Sequence, residues 1–396
     1  WRSDEKSPLT VVSEGLCDEG LETRRAYKVF QAEAFHVPPP FTNYRTVPLF
    51  NNLPLTYQQK AVAVRIDTDR TVENLPRFWS GITLLPHVVK SKEFSLEKRL
   101  PILQGTPALV RFAPLSIPGV LEVDANGNPL VHWEAMESAL LSIVEAKGTL
   151  LCSVSPLPQM KAEAWESFLT ALVKRIGGDP RFRGVRWELE AVPYDAKQYY
   201  EVFTRVVLRE QPNALMGVYF ATTDWLDTLE VFLDECIARN LPLPVLSWRL
   251  RETPQEEARI LRQLRVALAL HPTLKSTRLL PELYPESTVS LTLYAAQTLR
   301  LLDYCPQGEA NELLGVMTFY KGLQEPNGDA SLLAKCLTLM NQMVGKRIPL
   351  DCESSAVRAL GARGTDGIRL LVWREVGEGI QLVNLRFAAL GGLGAD

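Results

Sequence analysis

Four histidines in 396 residues leave little for histidine-based chemistry, and none stands near a cysteine at metal-ligand spacing. The six cysteines (Cys17, Cys152, Cys236, Cys305, Cys336, Cys352) are isolated, with no CxxC pair. Most read as small buried hydrophobes rather than a disulfide framework. No apolar run approaches the roughly 18 residues that a membrane span needs. A net charge of −3 and a pI near 6.0 give no basic footprint for nucleic acid. A GxSxG elbow, an HExxH pair and a phosphate-binding P-loop are all missing, so no metal or other cofactor is expected. Internal repeats and low-complexity segments are absent too.

What is present is an alternation of apolar runs and amphipathic stretches between Gly81 and Gly345. The runs are GITLLP (81–86), ALVRFA (108–113), TLLCSVS (149–155), GVRWELEAV (184–192), LMGVYF (215–220), PVLSW (244–248), TRLLPELY (277–284) and LLGVMTFY (313–320). Most precede a helical pattern. WEAMESALLSIVEAKG places Met136, Ala139, Leu140, Ile143 and Val144 on one face and ends at Gly148. TPQEEARILRQLRVALAL opens with Thr253 as a cap, Pro254 at the first helical position and Glu256 at the third. Eight such units over about 265 residues match the count and size of a (β/α)₈ TIM barrel, an α/β fold. Strands covered on both faces should read as continuous apolar runs, and these mostly do.

The flanks alternate instead. AVAVRID (61–67) and IRLLVWREVGEGIQLVNLRF (368–387) read as β segments, with GEG at 377–379 as a hairpin signal. The expected domains are an N-terminal arm over 1–45, a β segment over 46–80, the barrel over 81–345, and a C-terminal β segment over 346–396. The two β segments would join as a small β-sandwich. A chain that opens on Trp1 suits a processed start, so removal of a signal peptide and a place outside the cytoplasm are expectations.

The order of segments from Asp67 onward resembles the family 39 glycoside hydrolases, which include β-xylosidases and α-L-iduronidase. RFWS (77–80) is similar to that family's entry into its first barrel strand, and VRFAPL (110–115) to its second. SVSPLP (153–158) is similar to its third-strand end, and FLDECIARNLPLPVLSWRL (232–250) to its fifth helix and sixth strand. Family members carry W-E-x-W-N-E-P at the end of the fourth strand, where the Asn contacts a sugar hydroxyl and the Glu is the general acid/base. The matching stretch here is W-E-L-E-A-V-P, Trp187 to Pro193. Ala191 and Val192 thus occupy the Asn and acid/base positions, and neither can exchange a proton. TRLLPELYP (277–285) resembles the seventh-strand end and implies Glu282 as the nucleophile. Ala113 and Arg249 stand where the family has sugar-contacting histidines. The resemblance therefore implies a barrel with a degenerate acid/base motif, a pseudoenzyme whose mouth binds a carbohydrate or a protein partner.

Retaining glycosidases need two carboxyl groups about 5–5.5 Å apart, one of them an acid with a raised pKa. Glu282 supplies either a nucleophile or a surviving carboxylate without catalysis. Glu190 shares a strand face with Val192 and sits deeper by about two residues of 3.3 Å each. It serves either as an interior ion-pair partner, for instance of Arg249, or as a relocated acid. Asp195 and Glu286 are other acids from nearby loops. Glu188 reads as a buried carboxylate paired with a barrel arginine such as Arg111. Arg249, Trp248, Tyr194, Tyr284 and Phe112, near predicted strand ends, are the candidate sugar contacts. Two functions compete: a non-catalytic binder, and an active retaining glycosidase using Glu282 with Glu190 as acid.

Overall fold

The computed structural model describes residues 10–13, 45–47, 62–72, 74–75, 81–84, 109–126, 128–156, 160–191, 193–221, 225–250, 254–283, 301, 312–319, 331–354, 357–374 and 383–388. The chain divides into two compact units. One comprises Phe78–Leu337, and the other Trp1–Arg77 with Thr338–Asp396.

The first unit is a closed barrel of eight parallel strands. In chain order they are β1 (Gly81–Leu84), β2 (Leu109–Phe112), β3 (Thr149–Val154), β4 (Arg186–Ala191), β5 (Met216–Phe220), β6 (Val245–Leu250), β7 (Arg278–Leu283) and β8 (Met317–Phe319). Each matches one of the apolar runs in the sequence. Helices Trp133–Glu145, Ala162–Gly177, Pro193–Glu210, Trp225–Ala238 and Pro254–Leu270 follow β2 to β6 in turn. This is the (β/α)₈ arrangement.

Helix formation follows the apolar period. In Ala162–Gly177 the buried residues are Trp165, Phe168, Leu169, Leu172, Val173 and Ile176, spaced three and four apart along one stripe. Glu163 in its first turn and Lys174 and Arg175 in its last complement the helix dipole. The helix Trp133–Glu145 buries Met136, Leu140 and Ile143 and stops as Lys147 turns to a φ of 61°. The next residue has to be small, because a Cβ on Gly148 would stand 2.8 Å from Val110 and 3.1 Å from the Ile143 carbonyl. The helix after β6 starts at Pro254, as expected, while its proposed cap Thr253 lies outside the described residues. Cys152 and Cys236 are buried free thiols, and burial pushes the Cys236 thiol up to about 12.

The second unit holds two four-stranded sheets. One orders Thr10–Ser13, Ile368–Arg374, Val357–Arg363 and Lys346–Ile348. The other orders Leu350–Cys352, Val62–Asp67, Val383–Ala388 and Arg45–Val47. A single hydrophobic cluster draws Ile348, Val357, Ile368, Leu370 and Val372 from the first sheet and Val64, Ile66, Leu385 and Phe387 from the second.

Two expectations change here. Within the 1–45 arm, Thr10–Ser13 is a strand paired in parallel with Ile368–Arg374, and Arg45 opens the strand Arg45–Val47. GEG at 377–379 lies outside the described residues, but the strands flanking it are not hairpin partners. Ile368–Arg374 pairs with Val357–Arg363, whereas Val383–Ala388 pairs with Val62–Asp67. Placing them in different sheets lets Leu370 and Val372 share one core with Leu385 and Phe387.

Candidate functional site

The inward side chains of the barrel follow from strand register. In an eight-stranded barrel of shear eight, equal height shifts by one residue per strand, and alternate strands supply each interior layer. Applied to the pairings here, one layer contains Arg111 of β2, Glu188 of β4, Ser247 of β6 and Met317 of β8. The layer above, toward the strand C-termini, contains Thr83, Ser153, Tyr219 and Glu282. Above that come Glu190 of β4, Arg249 of β6 and Phe319 of β8. Below these layers Leu151, Val245 and Leu280 form an apolar cluster with Met317 of the lower polar layer.

Hydrogen bonds tie these layers together. Arg111 grips Glu188 with two parallel bonds, Nε to Oε2 at 2.7 Å and Nη2 to Oε1 at 3.0 Å. Its Nη1 reaches Glu282 Oε1 at 3.1 Å, and Nη2 also donates to the Ser247 hydroxyl. The Ser247 hydroxyl donates in turn to the Leu280 carbonyl at 2.7 Å. The guanidinium lies 4.0 Å from the centroid of the Tyr219 ring, a cation–π contact.

Glu282 is fully buried and both of its oxygens are occupied. Oε1 accepts from Thr83 and Arg111, while Oε2 accepts from the Tyr219 hydroxyl and from Arg249 Nε at 2.9 Å. Arg249 Nε also lies 3.1 Å from the Tyr219 oxygen.

The electrostatics follow from this placement. Burial alone would raise the Glu282 carboxyl, but Arg111 and Arg249, with the Thr83 and Tyr219 hydroxyls, outweigh it and hold its pKa below the usual range. Glu188 shifts up, because burial exceeds the help from Arg111. Glu190 also shifts up through burial, with Glu282 adding repulsion and Arg111, Arg249 and the Ser153 hydroxyl opposing. Burial opposes charge on Arg111 too, yet Glu188 and Glu282 raise it. Burial and Glu282 together push the Tyr219 phenol well above its ordinary value.

The sequence-derived site residues separate into groups. Glu282, Glu190 and Arg249 converge inside the barrel. Arg111 and Glu188 pair as expected. The pairing of Glu190 with Arg249 is replaced, since Arg249 donates to Glu282 instead. Glu190 also occupies a layer above Glu282 and is only half-buried, so it lies nearer the mouth than the candidate nucleophile. Phe112 and Trp248 are corrections. Both are fully buried and adjoin inward-facing Arg111 and Arg249, so strand alternation turns them outward, away from any sugar at the mouth. Tyr194 and Asp195 fall in the first turn of Pro193–Glu210, where side chains are outside the described set. Val192, Tyr284 and Glu286 lie outside the described residues altogether. Tyr219 and Thr83 escaped notice in the sequence. Their signal was positional: Tyr219 is the second-last residue of β5, and Thr83 the second-last of β1.

Among the described residues no cluster of His, Cys, Asp and Glu could hold a metal ion, and no helix is long and apolar enough to cross a membrane.

No protein-family model and no curated protein matches the chain. Solved structures do. N2152 from Neocallimastix frontalis aligns with a TM-score of 0.52 at 12% identity, over 77% of this chain and 79% of that one. BuGH86 in complex with neoagarooctaose aligns with a TM-score of 0.52 at 9% identity, over 77% of this chain and 67% of that one. At these identities the likeness is one of fold alone.

Proposed function

We propose that this protein is a catalytically degenerate relative of the glycoside hydrolases that binds a saccharide at the barrel mouth. The observation that carries the proposal is the state of Glu282. A nucleophile needs an exposed lone pair aimed at an anomeric carbon, and this carboxylate has no exposed surface and four donors on its two oxygens. Its lowered pKa suits a permanent counter-ion to two arginines. The sequence adds Val192 at the acid/base position of the family 39 pattern. General acid assistance is typically worth about 10²–10⁴-fold, so its loss alone would confine any turnover to activated leaving groups. The bound oligosaccharide in the BuGH86 structure supports carbohydrate as the ligand class. The shared cluster of the two terminal sheets supports the small β-sandwich as an accessory unit.

One observation favours the second function, an active retaining enzyme. Glu190 is a mouth-facing carboxyl with a raised pKa, which is what a relocated general acid requires. The two are separated by assaying aryl glycosides with good leaving groups alongside unactivated xylo- and gluco-oligosaccharides. Binding without turnover is expected for the unactivated oligosaccharides. Steady hydrolysis of these, abolished by Glu282→Gln, would overturn the degenerate assignment.

A further inference from the structure

The four donors that meet Glu282 are not equivalent. Thr83, Arg111 and Tyr219 share its layer or the one beneath, and are 8%, 2% and 2% exposed. Arg249 belongs to the layer above, and its side chain is the most open of the four at 17%. It pairs in register with Glu282 on the neighbouring strand β7. Its Nε sits 2.9 Å from Glu282 Oε2 and 3.1 Å from the Tyr219 oxygen, with the guanidinium carbon 5.9 Å from the centroid of the Tyr219 ring. Arg249 thus caps the carboxylate on the side of the strand C-termini. We propose that Arg249 is an autoinhibitory plug, whose guanidinium fills the space over Oε2 through which an anomeric carbon would approach. The proposal rests on the degenerate function above and names the residue that shuts the nucleophile.

Lone-pair accounting shows what the plug does. An ionised carboxylate offers about four acceptor positions, two on each oxygen. Thr83 and Arg111 take those of Oε1, and the Tyr219 hydroxyl takes one on Oε2. Arg249 takes the last. Without it, Oε2 keeps a free lone pair on the side facing the mouth. The charge of Glu282 does not depend on Arg249 alone, because Arg111 stays 3.1 Å from Oε1 and holds the group as a carboxylate. The step this would permit needs no general acid when the leaving group is activated. Oε2 forms a bond to the anomeric carbon of a 2-deoxy-2-fluoro glycoside as the bond to its leaving group breaks. Fluoride or dinitrophenolate departs with the electron pair, and no proton moves.

The test compares Arg249→Ala and Arg249→Gln with the unaltered protein. Each is incubated near neutral pH with 2-deoxy-2-fluoro xylosides and glucosides bearing those leaving groups, and its intact mass is read. The expected result is a stoichiometric glycosyl adduct on Arg249→Ala and a smaller yield on Arg249→Gln, whose amide still fills part of the space. No adduct is expected on the unaltered protein or on Arg249→Ala combined with Glu282→Gln. Gain of labelling at one carboxylate is a readout that mere loosening of the barrel does not produce. A folded Arg249→Ala without adduct would overturn the plug and leave the degenerate function standing, whereas an adduct on the unaltered protein would overturn both. If the alanine variant fails to fold, by near-UV circular dichroism, the glutamine variant decides on the same criterion. Failure of both to fold would make Arg249 a structural counter-ion and would equally overturn the proposal.

Discussion

At the scale of single residues, Arg111 is the group on which the interior depends. It is buried to 2% exposure and makes ion pairs with two carboxylates. Breaking a buried pair by removing one partner typically costs about 3–5 kcal/mol, because the remaining charge is stranded. Arg111→Met should therefore lower unfolding stability by about that amount, read from urea midpoints; a loss below about 1 kcal/mol would mean the network is decorative. Glu190 and Glu282 should give opposite pH signatures. The folded pKa of Glu190 is raised, so its contribution is complete below the unfolded value of about 4.3 and is lost as pH rises through the folded value. That of Glu282 is lowered, so its contribution is complete above about 4.3 and is lost as pH falls through the folded value. Relative to Glu190→Gln, the unaltered protein should thus lose stability as pH rises above about 4.3. Parallel stability–pH curves for the two would contradict the assignment.

At the scale of elements, all eight barrel strands were legible because a parallel strand covered on both faces must be apolar over several residues. Less legible was what the inner faces carried. Charges at every second position of β4 (Glu188, Glu190), with Arg111 and Arg249 two strands away on either side, are the trace of a polar interior, yet partner choice depends on barrel stagger. Stagger is set by register and not by any one strand, so Arg249 went to Glu282 rather than Glu190. Strand parity, in contrast, was available. Once Arg111 and Arg249 face inward, Phe112 and Trp248 must face the helices. Barrel closure between β8 and β1 depends on close approach at Gly81, where a Cβ would stand 2.6 Å from both Met317 Sδ and the Val316 carbonyl oxygen. The thioether can move and the backbone carbonyl cannot. Gly81→Ala should cost about 1–3 kcal/mol as overpacking, and Met317→Ala in the same chain should recover little of it. Full recovery would show that the side chain alone set the limit.

At the scale of the whole molecule, the terminal unit draws strands from both chain ends into two sheets over one cluster. The pairing of Thr10–Ser13 with Ile368–Arg374 was not legible, because four residues carry too little pattern to announce a strand or its partner. Phe387→Ala removes a buried ring from one sheet and should cost about 3–5 kcal/mol. Since the cluster is shared, amide exchange protection should fall in Ile368–Arg374 of the other sheet as well as in Val62–Asp67. Loss confined to the second would separate the two cores. The barrel unit carries the functional question, and it turns on whether Glu282 can attack a sugar. A fluorinated glycoside with an activated leaving group requires only a nucleophile and no acid, so it tests Glu282 independently of any general acid. The most direct measurement is the intact mass of the protein after incubation with a panel of 2-deoxy-2-fluoro glycosides. No mass increase is predicted, whereas a stoichiometric glycosyl adduct mapped to Glu282 would contradict the account.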